Sequence, residues 1–190
     1  MKPITTETIL PLGAYLQVRE QMRRDIIEHK KNRRIEVGPQ VTFVFEDRKT
    51  TLFQVQEILR CEEITDPEAI ASELAIYNGI LPDDGQLSAT VMIAFSSTAD
   101  IRAERKKLVG MMENVRLRFG DHALPARFEE GRETEERISA VQYISFEFDA
   151  AAIEAFGAAD EVVLAIEHPG YEHQTVLWQG MKDSLLGDLS

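Results

Sequence analysis

Helical apolar spacing early in the chain, β-rich alternating runs late in it, and the lack of a regular βαβ rhythm predict an α+β fold. N-terminal helices are expected to pack on a mainly antiparallel sheet. No internal repeat, low-complexity tract or Pro/Ser-rich linker interrupts residues 1–190, so the expectation is a single domain.

The elements follow in order. Over residues 12–31, Leu12, Tyr15, Leu16, Val18, Met22, Ile26 and Ile27 recur at helical spacing behind Pro11, which suits a helix start. His29, Lys30, Lys31, Arg33 and Arg34 crowd its end, where cations complement the helix dipole. Gly38-Pro39 breaks the chain, and VTFVFE (41–46) reads as a buried strand. Residues 50–62 form a second helix capped near Thr50 or Thr51, and Asp66-Pro67 opens a third that runs to about Asn78. Residues 87–95 are a strand and 99–112 a helix. VRLRF and HALPARF flank Gly120-Asp121 as a hairpin, and the charged stretch 129–137 reads as an exposed loop. Strands follow at 140–148, 161–167 and 175–178, with a short helix at 150–156 and a turn at HPGYEH.

Composition bounds the class. With 44% hydrophobic and 28% charged residues the chain has the makings of a globular core. Its longest apolar runs, such as Val91 to Phe95, fall far short of the roughly 20 residues a membrane helix needs, so no membrane role is expected. MKPITTETILPLG lacks the apolar stretch of a secretory signal, and one cysteine forms no internal disulfide. A cytoplasmic protein is the expectation. Net charge is −12, unevenly placed: +3 over residues 1–50 and −15 over the rest. An acidic body disfavours nucleic acid, because phosphate contacts dominate that affinity. Arg23, Arg24, Lys30, Lys31, Arg33 and Arg34 are the one set that offers cations to a polyanion.

The chemical candidates are few. On the second helix Leu52, Val55, Ile58 and Leu59 share a face, while Gln54, Glu57 and Cys61 line its border and Arg60 lies beyond. A carboxylate and an amide there can orient a ligand or move a proton. The plainer alternative is a local Glu57–Arg60 pair with Cys61 packed as a small buried hydrophobe. A strand ending in Glu46, followed by that helix, also allows Arg34, Glu46, Glu57 and Arg60 to share one ligand pocket. Glu167, His168, Tyr171 and His173 gather donors suited to zinc or iron, but without an HExxH helix or a CxxC pair. His168 and His173 are therefore weak metal candidates against a plain surface turn. Phosphate-binding, dinucleotide, hydrolase-elbow and EF-hand signatures are missing, and no cofactor is assigned.

Several phrases occur together: Arg33-Arg34, Phe45-Glu46, Gln54-x-x-Glu57-x-x-Arg60, Tyr77-Asn78, Leu87-Ser88-Ala89-Thr90 and Ser139-Ala140-Val141-Gln142-Tyr143. In these the chain resembles an uncharacterised bacterial family, a domain of unknown function about as long as this chain. The resemblance implies a stand-alone cytoplasmic protein, often encoded beside rubrerythrin-like and iron–sulfur oxidoreductase proteins. It therefore implies a redox or peroxide-stress setting and a redox protein as partner, and it transfers no catalytic residue. An accessory or binding protein is the leading expectation; a small enzyme or ligand-binding protein with the Arg/Glu pocket is the alternative.

Overall fold

The structure, a computed structural model, describes residues 1–95, 100–128 and 138–189. The expected α+β class is what it shows: N-terminal helices on antiparallel sheet, with the strands divided between two sheets. The loop read over 129–137 lies outside the described residues.

The helices are α1 (Leu12–Lys30), α2 (Arg48–Cys61), α3 (Pro67–Asn78), α4 (Ile101–Lys107), α5 (Ala150–Ala158) and α6 (Gln179–Leu189). The strands are β1 (Arg34–Val37), β2 (Val41–Glu46), β3 (Gln86–Ile93), β4 (Val115–Phe119), β5 (His122–Pro125), β6 (Arg127–Phe128), β7 (Val141–Glu147), β8 (Val162–His168) and β9 (Tyr171–Val176). The first sheet runs β1-β2-β3-β7-β6 and the second β5-β4-β8-β9. Period-2 alternation decides what each face does. Phe43, Phe45, Leu87, Val91, Ile144 and Phe146 point from the first sheet into the main core, where Val115, Leu117, Leu164 and Ile166 of the second meet them. Glu46, Ser88, Thr90, Tyr143 and Ser145 hold the opposite parity, on the face toward α2 and α3. A separate small core of Ile4, Val55, Leu59 and Leu74 joins the N-terminal strap, α2 and α3.

Several boundaries differ from expectation for identifiable reasons. Helix α2 starts at Arg48 because Asp47, not Thr50 or Thr51, is its N-cap: Asp47 accepts the Lys49 and Thr50 amides at 2.9 and 2.8 Å, and Thr50 Oγ1 accepts the Asp47 N–H. The basic tail read onto α1 is split, since Arg34 opens β1. The stretch read as a turn at HPGYEH is mostly strand: only residues 169–170 turn, and β9 begins at Tyr171. The helix expected over 99–112 is shorter, ending at Lys107, with a 3-10 turn at Met112–Asn114 after Gly110 (φ 79°). Helix α6 was not anticipated. It buries Met181, Leu185 and Leu189 against the main core.

Residues 122–128 serve both sheets: β5 pairs with β4, then β6 pairs with β7. On the opposite side β9 is tied to β1. Tyr171 donates its hydroxyl to the Val37 carbonyl at 2.8 Å and accepts the Gln40 N–H at 2.9 Å, and Thr175 donates to the Glu36 carbonyl at 2.7 Å. Gly38 lets that closure happen. Its φ is 70°, and a Cβ there would sit 2.5 Å from His173 Cγ and 2.6 Å from the Tyr171 hydroxyl.

Candidate functional site

Helix α2 positions most of the sequence candidates. Its Val55/Leu59 face turns toward α3, which leaves its Glu57 edge facing α1. There the Glu57 carboxylate accepts five hydrogen bonds. Tyr15 donates its hydroxyl at 2.7 Å, Arg19 donates Nε and Nη2 at 2.8 Å each, and Arg60 donates Nε and Nη2 at 3.1 and 3.2 Å. The two guanidiniums, Arg19 first, hold the Glu57 carboxyl well below the usual carboxylate range despite partial burial. Burial, together with the neighbouring Glu57 charge, pushes the Tyr15 phenol far up. The i,i+3 pair of Glu57 and Arg60 was legible in the sequence; Tyr15 and Arg19 were not, because they reach it from another helix.

Glu46 and Gln54 form a second set, apart from the first. Glu46 is buried and accepts from Thr50 Oγ1 at 2.5 Å, Gln54 Nε2 at 2.9 Å and Thr90 Oγ1 at 2.6 Å. These donors are neutral, so they satisfy the carboxylate oxygens without neutralising them. Arg34 joins neither set: it is exposed on β1, with Glu36 3.8 Å away. The structure therefore brings Glu57 to Arg60, and Glu46 to Gln54, but does not gather Arg34, Glu46, Glu57 and Arg60 around one point.

The expectations for Cys61, Arg60 and Arg33 are corrected. Cys61 is exposed, not buried, because it lies one turn past Glu57, beyond the cover of α1. Arg60 does not project away from it, for Arg60 Nη2 donates to the thiol sulfur at 2.9 Å. Arg33 does not belong to a surface polyanion patch. It is 1% exposed and donates to the carbonyls of Phe45 (2.9 Å) and Glu46 (3.2 Å) and to Ser184 Oγ (3.1 Å). It also makes a close ion pair with Asp188 and stands 3.4 Å from Asp47, which His29 meets at 2.6 Å. Burial raises Asp188 above the usual range. Burial also pushes Asp47 upward, but the Arg33 guanidinium, the Thr50 amide and His29 outweigh it and hold that carboxyl low. The network fastens the end of α1, the end of β2, the start of α2 and helix α6 at one buried cation.

The weak metal candidates are separately employed. His168 Nε2 meets the Val109 carbonyl at 3.0 Å and its Nδ1 accepts the Gly170 N–H at 3.1 Å, while His173 packs on Tyr171 with ring centres 4.5 Å apart. Among the described residues no group of three or more His, Cys, Asp or Glu stands together as a metal-binding set.

A cleft of about 580 Å³ lies between the end of α3 and the outer face of the first sheet. Ile76 and Leu81 roof it, Tyr143 and Ser145 floor it, and Arg127 and Phe128 of the edge strand close one side. Tyr143 stands opposite Thr90 in the strand register, and Thr90 is bonded to Glu46, so the Glu46–Gln54 set backs one wall. Burial raises the Tyr77 phenol, with the nearby Tyr143, Glu73, Glu62 and Glu46 adding to the effect. Such a cleft, apolar with a few convergent polar groups, has the size and character of small-ligand sites.

Residues 3–189 match the model of a family described as "Protein of unknown function (DUF3501)". The chain belongs to the DUF3501 family. It is also similar to a protein of unknown function from Burkholderia pseudomallei K96243, whose crystal structure superposes with a TM-score of 0.92 at 33% identity over 100% of both chains. No curated protein matches. Among the described residues no helix is long and apolar enough to cross a membrane.

Proposed function

We propose that this DUF3501 protein acts by binding rather than by catalysis. In this reading it is a one-domain cytoplasmic accessory protein whose ligand or partner group enters the cleft between α3 and the first sheet. The observation that carries the reading is the state of Glu57. A carboxylate that accepts five hydrogen bonds, four of them from two guanidiniums, gives up two ion pairs to take a proton, which makes it a poor general base. Glu46 and Gln54 then act as the brace of the cleft wall. The sequence resemblance, with its rubrerythrin-like and iron–sulfur neighbours, suggests the system served: a redox or peroxide-stress partner.

The alternative, a small enzyme or ligand pocket, retains only Glu57 and Arg60 of the four residues first grouped for it, and has their contact in its favour. One experiment separates the two. The wild-type chain and Ser145→Trp, which fills the cleft from its half-buried floor, serve as baits for partners and small molecules from a DUF3501-bearing bacterium. Reproducible recovery by the wild type and loss with Ser145→Trp is expected. Equal recovery by both, or turnover of a recovered compound that Glu57→Gln abolishes, overturns the proposal.

A further inference from the structure

Helix α1 is 19 residues long and buries only Tyr15 and Ile26. On its flank Leu16 and Ile27 remain 54% and 52% exposed. Eleven residues apart, they share one side of the helix at a separation of about 16 Å. Arg23 and Lys30 fall on the same stripe, Arg23 two turns after Leu16 and one turn before Ile27, and Lys30 three residues after Ile27. Glu20, the acid on that stripe, is already paired with Arg19 at 3.0 Å. An exposed helix flank that alternates apolar and cationic residues is half of an interface.

The complementary half is on the same molecule. A groove of about 360 Å³ runs between the N-terminal strap and the junction of α2 with α3, lined by Ile9, Leu10, Leu59, Ile64, Pro67 and Ile70 among others. Its strap wall is fixed: buried Gln56 accepts the Leu10 N–H at 2.5 Å and donates to the Leu10 carbonyl at 3.2 Å. Exposed Glu7, Glu62, Glu63, Asp66 and Glu68 alternate along the chain with the lining residues. The cation in the lining, Arg60, is committed to Glu57. An apolar floor inside an acidic rim rejects a polyanion or a fatty carboxylate and accepts an apolar segment that carries cations. Leu10, Pro11 and Leu12 form both the groove wall and the entry to α1, so α1 cannot fold back into its own groove.

We propose that the groove is occupied by α1 of a second copy, in a two-fold dimer in which each α1 flank covers the other's groove. Reciprocity doubles the footprint: each copy buries one helix flank and one groove, which brings the contact toward the roughly 800 Å² per partner of stable pairs. The proposal is independent of what enters the cleft beyond α3.

Light scattering after size exclusion tests it, over a concentration series reaching on the order of 100 μM, where even a weak specific pair forms. The full chain should show twice its 21.5 kDa mass at low ionic strength and dissociate as salt rises. Ile27→Glu, at an exposed position where folding is not at stake, should raise the dimer dissociation constant at least about tenfold, with circular dichroism unchanged. Arg23→Glu and Glu62→Lys should each weaken the pair, and the double swap should recover part of the loss. Ser145→Trp should dimerise like the wild type. A monomer throughout the series, or a dimer indifferent to both Ile27→Glu and Ile70→Glu, overturns the proposal.

Discussion

Replacing Arg33 with methionine deletes the one cation that four elements share. The methionine fills most of the volume, so the loss is electrostatic rather than a cavity. It strands the Phe45 and Glu46 carbonyls and leaves Asp188 and Asp47 facing each other without the guanidinium between them. Breaking a buried ion pair from one side costs about 3–5 kcal/mol, which for a chain of this size lowers Tm by roughly 10 °C. The pH dependence gives a sharper check. A carboxyl whose folded pKa is raised above its unfolded value costs stability while ionised, and the cost disappears as pH falls through the folded pKa. Burial already raises Asp188, and losing Arg33 raises it further and lifts Asp47 with it. The gap between wild type and Arg33→Met should therefore be widest near neutrality and shrink as pH drops toward about 4, the ordinary aspartate range. Urea unfolding followed by tryptophan fluorescence at a series of pH values measures it, and Asp188→Asn added to Arg33→Met should recover part of the loss. A cost below about 1 kcal/mol at pH 7, or a gap that does not change with pH, refutes the account of the network.

Three further outcomes are expected. Glu57→Gln should destabilise by about 1–2 kcal/mol at neutral pH, because Arg19 and Arg60 are partly exposed and can turn to water. Since the Glu57 carboxyl is held below its unfolded value, its contribution is present above about pH 4.5 and lost as pH falls through the lower folded pKa; paired urea titrations at pH 7 and pH 3 should show the difference shrinking. Gly38→Ala should cost about 2 kcal/mol or more, from its positive φ and the clash with His173 and Tyr171, and should lower Tm in calorimetry. Cys61 in the folded protein should react fully with a thiol reagent without unfolding, as an exposed side chain, whereas Cys61→Ala should cost less than about 0.5 kcal/mol.

What the sequence could reveal was what neighbouring residues decide. VTFVFE marked β2 at its true ends, because its first five residues all favour strand, and Asp66-Pro67 located the start of α3. The strand expected at 175–178 in fact runs from Tyr171 to Val176, and its start was hidden because YEHQTV buries only Tyr171 and lacks the apolar alternation by which strands are recognised. Strand β1 was hidden by the cationic run before it. The start of α2 was misplaced because Asp47 precedes two polar, basic residues and gives no apolar cue. At the candidate site the same limit applies. Glu57 with Arg60 is an i,i+3 relation, visible on a helical projection, but Tyr15, Arg19 and Thr90 arrive from 38 to 44 residues away. Cys61 was assigned to the core because a projection shows which face a residue holds, but not how far the covering helix extends.

The shared segment at 122–128 and the Tyr171–Thr175 latch have a joint consequence for how this protein meets others. The outermost strands of the two sheets are not left hanging: one margin is a single ribbon that passes from sheet to sheet, and the other is stitched shut across Val37 and Glu36. Where the described strands are closed in this way they offer less bare peptide backbone to an incoming strand, which discourages both amyloid-like stacking and recruitment of partners by strand addition there. Whatever docks on a DUF3501 protein of this shape must then be recognised by side chains, on helix flanks and in clefts, where a few substitutions can change the partner without disturbing the sheets.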